Sequence, residues 1–129
     1  MDKTVGIVGL GIMGGAIARN LIDREWRVIG FDIDAARLSE LAQAKVTIAG
    51  DVRQLARDAP IIMTSLPNPA AVEDVAHAIA NSGQSRRIVV ELSTLSVADK
   101  LRATLRRASF GDRPCSSHLR CWSAKGFSP

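Results

Sequence analysis

Three glycines and one acid near the start of this 129-residue chain have the spacing of an anion-binding turn. Gly9, Gly11 and Gly14 stand in the run Gly9-Leu10-Gly11-Ile12-Met13-Gly14, and Asp32 follows roughly twenty residues on. Gly9 lets the chain turn sharply, through a backbone conformation that a side chain would penalise. Gly11 has no Cβ, so the backbone can close on a pyrophosphate, and Gly14 lets the following helix lie against a sheet. That helix, starting near Ile12 or Met13, turns free N–H groups and its positive dipole end toward the phosphates. The Asp32 carboxylate would accept hydrogen bonds from ribose hydroxyls. A glycine turn that only packs a strand–helix–strand unit has the same spacing. The dinucleotide reading is preferred because strand, helix and acid all stand where a dinucleotide needs them.

Asp32 also bears on which dinucleotide. A carboxylate there repels the 2′-phosphate of NADP and suits the free hydroxyl of NAD. Arg37, five residues further on, could soften that rejection, but it reads more simply as a solvated charge on a helix face. NAD is the expected cofactor, with NADP possible.

The elements that must position these residues alternate between strand and helix patterns, which predicts an α/β fold with a doubly wound parallel sheet. Thr4–Val8 and Arg27–Phe31 read as strands, and Gly15–Ile22 carries a helical pattern. Asp34 is placed to cap a helix over Ala35–Ala44, with Leu38 and Leu41 inward. Val46–Ile48 is a short third strand, and Asp51 caps a short helix through Leu55 and Ala56. Pro60–Leu66 is a fourth strand, apolar enough to be buried on both faces. Pro67-Asn68-Pro69 ends it, and a helix pattern runs over Ala70–Ala80. Arg87–Leu92 is the fifth strand, and Ser96 caps a last helix through Leu101 and Leu105. Ligands on such sheets bind beyond the strand carboxyl ends. The glycine turn, Asp32, Leu66-Pro67 and Ser93-Thr94 are all expected on that edge.

Composition bounds the rest. One domain's worth of chain, 47% hydrophobic and 23% charged, fits an ordinary globular protein. No apolar run is long enough for a transmembrane helix, and Met1-Asp2-Lys3 leads into a strand without a signal-peptide pattern. Cytoplasmic residence is the default expectation, and no membrane partner is expected. The net charge of +4 is unevenly spread: residues 1–100 hold 11 basic and 12 acidic side chains, whereas residues 101–129 hold 6 basic and one acidic.

Beyond the glycine turn, Ala18 and Asn20-Leu21, then Ser65-Leu66-Pro67, then Glu91-Leu92-Ser93-Thr94-Leu95-Ser96 complete a recognisable set. Together they resemble the β-hydroxyacid dehydrogenase family, which includes 3-hydroxyisobutyrate dehydrogenase and the cofactor domain of 6-phosphogluconate dehydrogenase. The resemblance covers about residues 3–104 and implies a Rossmann-type NAD(P)-binding domain over residues 1–105. It implies that Leu66 and Pro67 pass the adenosine half of the cofactor. It places Ser93 on the substrate carboxylate and Thr94 near the nicotinamide ribose or ring. Two departures are local: Arg24-Glu25-Trp26 replaces the family's Gly-His before the second strand, and Val97 replaces a proline. The third is large. Family members continue into a helical domain bearing a catalytic lysine, and Lys3, Lys45, Lys100 and Lys125 do not match it. No catalytic residue is assigned, and the chain alone is expected to bind NAD but to turn over little substrate. A small hydroxy acid is a partner only of intact relatives. Self-association through the face that the helical domain would cover is an expectation of the same reading.

Residues 106–129 show neither period and shift abruptly to Arg, Ser, Cys and Pro, as a frame shift near residue 105 would produce. They are expected to form a disordered basic tail. Cys115, His118 and Cys121 lack a fourth ligand, so no metal site is expected. A non-enzymatic NAD-sensing module with a nucleic-acid or partner-binding tail is the alternative, and nucleic acid is the less favoured partner.

Overall fold

The computed structural model describes residues 2–84 and 87–99. The tail, its Cys115/His118/Cys121 trio, Lys100, Lys125 and the helical positions Leu101 and Leu105 lie outside the described residues. Five strands form one fully parallel sheet in the order β3-β2-β1-β4-β5. The strands are β1 (Thr4–Val8), β2 (Arg27–Phe31), β3 (Thr47–Ile48), β4 (Ile61–Thr64) and β5 (Ile88–Glu91). Between them run α1 (Ile12–Asp23), α2 (Ala35–Gln43), α3 (Val52–Asp58) and α4 (Pro69–Ala80). The chain winds outward from β1 in both directions, so the loops after β1 and β4 diverge and leave a crevice between them.

The starts of α2, α3 and α4 each have a local cause. Asp34 accepts from the Ala36 N–H at 2.9 Å, Asp51 from Gln54 at 2.7 Å and Asn68 from Ala71 at 2.9 Å. Ser96 takes the Asp99 N–H and donates to its carboxylate, the start of the helical turn over residues 97–99. At the other end of α3, the Arg87 guanidinium donates to the carbonyls of Ala56 and Arg57, at 2.7 and 2.8 Å.

Two cores lie on opposite faces of the sheet. On one, Leu55 and Ala56 of α3 and Ile79 of α4 pack against Val8, Ile29 and Ile62. On the other, Ala18 of α1 and Leu41 of α2 pack against Val5, Ile7 and Val28. Gly6 faces Leu55 so closely that an added Cβ would lie 2.4 Å from the Leu55 side chain. Burial of β4 on both faces does not hold. Ile62 and Thr64 are buried, but Ile61 and Met63 are half-covered and β5's neighbouring Ile88 is 47% exposed. The reason is geometric: α1 and α2 follow the chain toward β2 and β3, away from β4 and β5.

The replacement of Gly-His before β2 has a structural consequence. α1 ends in a Schellman turn: Glu25 N–H donates to the Ile22 carbonyl at 3.0 Å and Trp26 N–H to Leu21 at 2.9 Å. α2 ends the same way, Lys45 to Ala42 and Val46 to Leu41. The turn needs a left-handed residue, and here Glu25 (φ 62°) and Lys45 (φ 66°) occupy it where glycine is favoured. Leu21 with Trp26, and Leu41 with Val46, belong to the same core, which holds both turns closed. Glu25→Gly and Lys45→Gly should each raise unfolding stability by about 0.5–1 kcal/mol, the left-handed strain outweighing glycine's extra chain entropy. Urea unfolding of the two single variants and the double checks this, and near-additivity is expected because the turns are separate.

Candidate cofactor site on the carboxyl edge

β1 ends in a turn whose three glycines have three different reasons. Gly9 has φ +91°, and a Cβ there would lie 2.0 Å from the Ser65 carbonyl oxygen. It therefore packs the turn directly on the loop after β4. A Cβ on Gly14 would lie 1.9 Å from the Gly9 carbonyl oxygen, so α1 can cross the end of β1 only with glycine there. Gly11 is different. Its nearest neighbours would be the Arg37 guanidinium atoms, at 3.7 and 3.9 Å. The protein leaves room for a side chain at Gly11, which is the arrangement expected where something other than protein comes close.

α1 starts at this point without a cap. Its N-cap is Gly11, no side chain accepts from its first turn, and no acid stands there. The starts of α2, α3 and α4 are all closed by side chains. The α1 terminus thus has no side chain on its first N–H donors and no acid against its partial positive charge, the arrangement that suits an anion. Ile12 is 98% exposed and Met13 about half exposed, so both side chains border the opening rather than the core. Leu10 behaves otherwise: its side chain is buried and its N–H goes to Asp32.

Asp32, just past β2, is 6% exposed. Its Oδ2 accepts from the Leu10 N–H at 2.7 Å and its Oδ1 from the Asp34 N–H at 2.9 Å. The acid therefore ties the glycine turn to the end of the neighbouring strand. Arg37 is not the isolated solvated charge that its spacing suggests. Its Nη1 lies 3.5 Å from Asp32 Oδ2 and its Nε 3.7 Å from Asp34 Oδ2, so the half-exposed guanidinium folds back over the glycine turn. Ile33, next to Asp32, is 96% exposed and escaped the sequence reading, although an apolar residue just after the acid was visible there.

The other half of the edge is built by β4 and β5. Leu66 is half-buried, while Pro67 and Thr94 are exposed. Ser93 is 4% exposed, and its Oγ accepts from the Leu66 N–H at 2.7 Å. Its own O–H remains a donor. Glu91, which the sequence motif includes without a role, accepts from Thr64 Oγ1 at 2.8 Å and from the Ser93 N–H at 2.5 Å. The glycine turn, Asp32, Leu66-Pro67 and Ser93-Thr94 thus come together on one edge. Lys3 and Lys45 lie at the opposite, amino-terminal edge, ahead of β1 and β3. No group of three or more potential metal ligands occurs among the described residues. Among the same residues no helix is long and apolar enough to cross a membrane.

This architecture has relatives. The family model for the NAD binding domain of 6-phosphogluconate dehydrogenase matches residues 4–111. A probable mitochondrial 3-hydroxyisobutyrate dehydrogenase of Dictyostelium discoideum is 40% identical over 74 residues, covering 57% of this chain and 23% of that protein. The 3-sulfolactaldehyde reductase of Escherichia coli is 30% identical over 111 residues, covering 82% of this chain and 37% of the reductase. The structure of Mycobacterium tuberculosis 3-hydroxyisobutyrate dehydrogenase with L-serine superposes with a TM-score of 0.78 at 25% identity, over 84% of this chain and 38% of that one. The chain therefore spans well under half the length of these relatives. An uncapped helix behind a glycine turn, a buried acid after β2 and the match over residues 4–111 agree: the chain belongs to the family of the NAD-binding domain of 6-phosphogluconate dehydrogenase, shared with the 3-hydroxyisobutyrate dehydrogenases.

Proposed function

We propose that this chain supplies the cofactor half of a hydride-transfer site acting on a small 3-hydroxy acid or its semialdehyde. The observation that carries the reading is the uncapped start of α1 behind an open Gly11, beside a buried Asp32. Backbone N–H groups at the start of α1 would hold the pyrophosphate. Asp32 would receive the adenosine ribose hydroxyls while keeping its bonds to Leu10 and Asp34. Exposed Ile33 offers an apolar platform beside that ribose for the adenine. Leu66 and Pro67 border the dinucleotide where the β4 loop meets Gly9. Thr94 stands nearest the nicotinamide, and the Ser93 O–H, its acceptor side taken by Leu66, is the donor for a substrate carboxylate. A bound nicotinamide supplies hydride exchange, and this edge orients it. The hydroxyl proton needs an acid/base, and neither Lys3 nor Lys45 is placed to serve. The domain covering residues 1–105 thus binds and orients, and proton transfer belongs to a part that these lysines do not provide.

The cofactor preference follows from the balance of two charges. The buried Asp32 carboxylate disfavours a 2′-phosphate, and Arg37 beside it partly offsets that charge. NAD(H) is the better ligand and NADP(H) is admitted more weakly. Calorimetric titration of the whole chain should show saturable NADH binding, tighter than NADPH. Binding of neither would refute the reading. Arg37→Leu should weaken NADPH about tenfold, the loss of one charge-assisted hydrogen bond, and shift NADH less than about threefold. Equal loss of both would show that Arg37 only supports the turn.

The glycines give a second check. Gly14→Ala should cost about 1–3 kcal/mol of stability, because the methyl group meets backbone that cannot move freely. Gly11→Ala should cost less than about 1 kcal/mol, yet lower NADH affinity at least tenfold by filling the seat of the pyrophosphate. Unfolding curves and titrations on the two variants separate the effects.

A further inference from the structure

Glu91 stands directly opposite Thr64 in the β4–β5 register and is half-buried. No cation among the described residues pairs with it. Its carboxylate instead takes two donors from two different segments. Thr64 Oγ1–H comes from the end of β4, and the Ser93 N–H comes from its own chain two residues on. A carboxylate accepts such bonds about twice as strongly as a neutral group, and withdrawing them leaves it poorly solvated.

The connections continue on both sides. Ser93 Oγ accepts from the Leu66 N–H at 2.7 Å, and the Leu92 N–H donates to the Thr64 carbonyl at 2.8 Å. The Ser65 N–H donates to the Val8 carbonyl at 2.9 Å, and the Ser65 carbonyl is the group that excludes a side chain from Gly9. Glu91 therefore lies in a continuous set of contacts running from the glycine turn to Ser93-Thr94. On the adenosine side, Asp32 secures the turn independently.

We propose that Glu91 is a positioning residue for the nicotinamide half of the dinucleotide. It bends the chain leaving β5 and clamps Ser93 to the β4 loop, so that Thr94 is presented at a fixed place on the edge. This rests on the dinucleotide reading above. The adenosine half depends on the clamp far less than the nicotinamide half: Asp32 and the α1 terminus make none of its contacts, and Leu66 meets it through one backbone N–H to Ser93.

Two probes separate the halves: NADH, and ADP, which carries the adenosine diphosphate and no nicotinamide. Titrated against the full chain, Glu91→Ala should weaken NADH about tenfold and ADP less than about twofold. Glu91→Gln should stay within about threefold of the wild type for both. Its Oε1 accepts from Ser93, and its amide donates to a rotated Thr64 hydroxyl. Thr64→Val removes one donor at nearly constant volume and should show a smaller loss, again confined to NADH. It keeps the test decisive if the alanine variant does not fold. Equal loss of both probes, no loss of either, or failure of glutamine to rescue overturns the proposal. A wild type that binds neither probe overturns the dinucleotide reading, and this proposal with it. A wild type that binds both, with variants losing both alike, overturns the clamp alone.

Discussion

A single buried carboxylate, that of Asp32, holds the turn after β1 against the end of β2, and the arrangement of the edge depends on it. The two parallel strands are joined by their ladder only as far as the Gly9 N–H, which donates to the Phe31 carbonyl at 3.0 Å. Beyond that point the chain must reverse into α1. The 2.7 Å bond from Leu10 N–H to Asp32 fixes where it does so. Burying an acid is costly unless its oxygens are bonded, and here both accept backbone N–H groups. The same side chain that would meet the ribose is thus already part of the scaffold.

The proposed dinucleotide site would account for the division of labour among the glycines. At Gly9 and Gly14 an added Cβ would fall about 2 Å from a backbone carbonyl oxygen, whereas at Gly11 it would meet nothing among the described residues closer than 3.7 Å. It would explain also why α1, alone among α1–α4, starts without a side-chain cap. A cap there would take up the donors that the proposed pyrophosphate would need. Stability is supplied elsewhere, by the two cores on either face and by the capped starts of α2, α3 and α4. The edge can leave the start of α1 without a side-chain cap because stability does not rest on it.

Much of this was legible in the chain because it is local. The Gly9–Gly14 pattern, the acid after the second strand and the caps at Asp34 and Asp51 each depend on neighbours within a few residues. What escaped is non-local or hidden by residue type. Glu91 looks like a strand-end acid, and its meeting with Thr64, 27 residues earlier, follows only from strand order. Arg37 looks like a helix-face charge, and its return to Asp32 depends on where α2 points after its cap. Glu25 and Lys45 conceal their left-handed turns, since neither residue advertises a positive φ as glycine would. The half-covered flank of β4 follows from the side on which α1 and α2 pack, which hydropathy alone does not show.

The most direct test of the account is amide-resolved NMR of the chain titrated with NADH. The largest shifts are expected at the Gly11, Ile12 and Met13 amides, with further changes around Asp32-Ile33 and Leu66. The Lys3 and Lys45 edge should remain unmoved. Shifts concentrated on that opposite edge, or an unperturbed α1 terminus under saturating NADH, would contradict it.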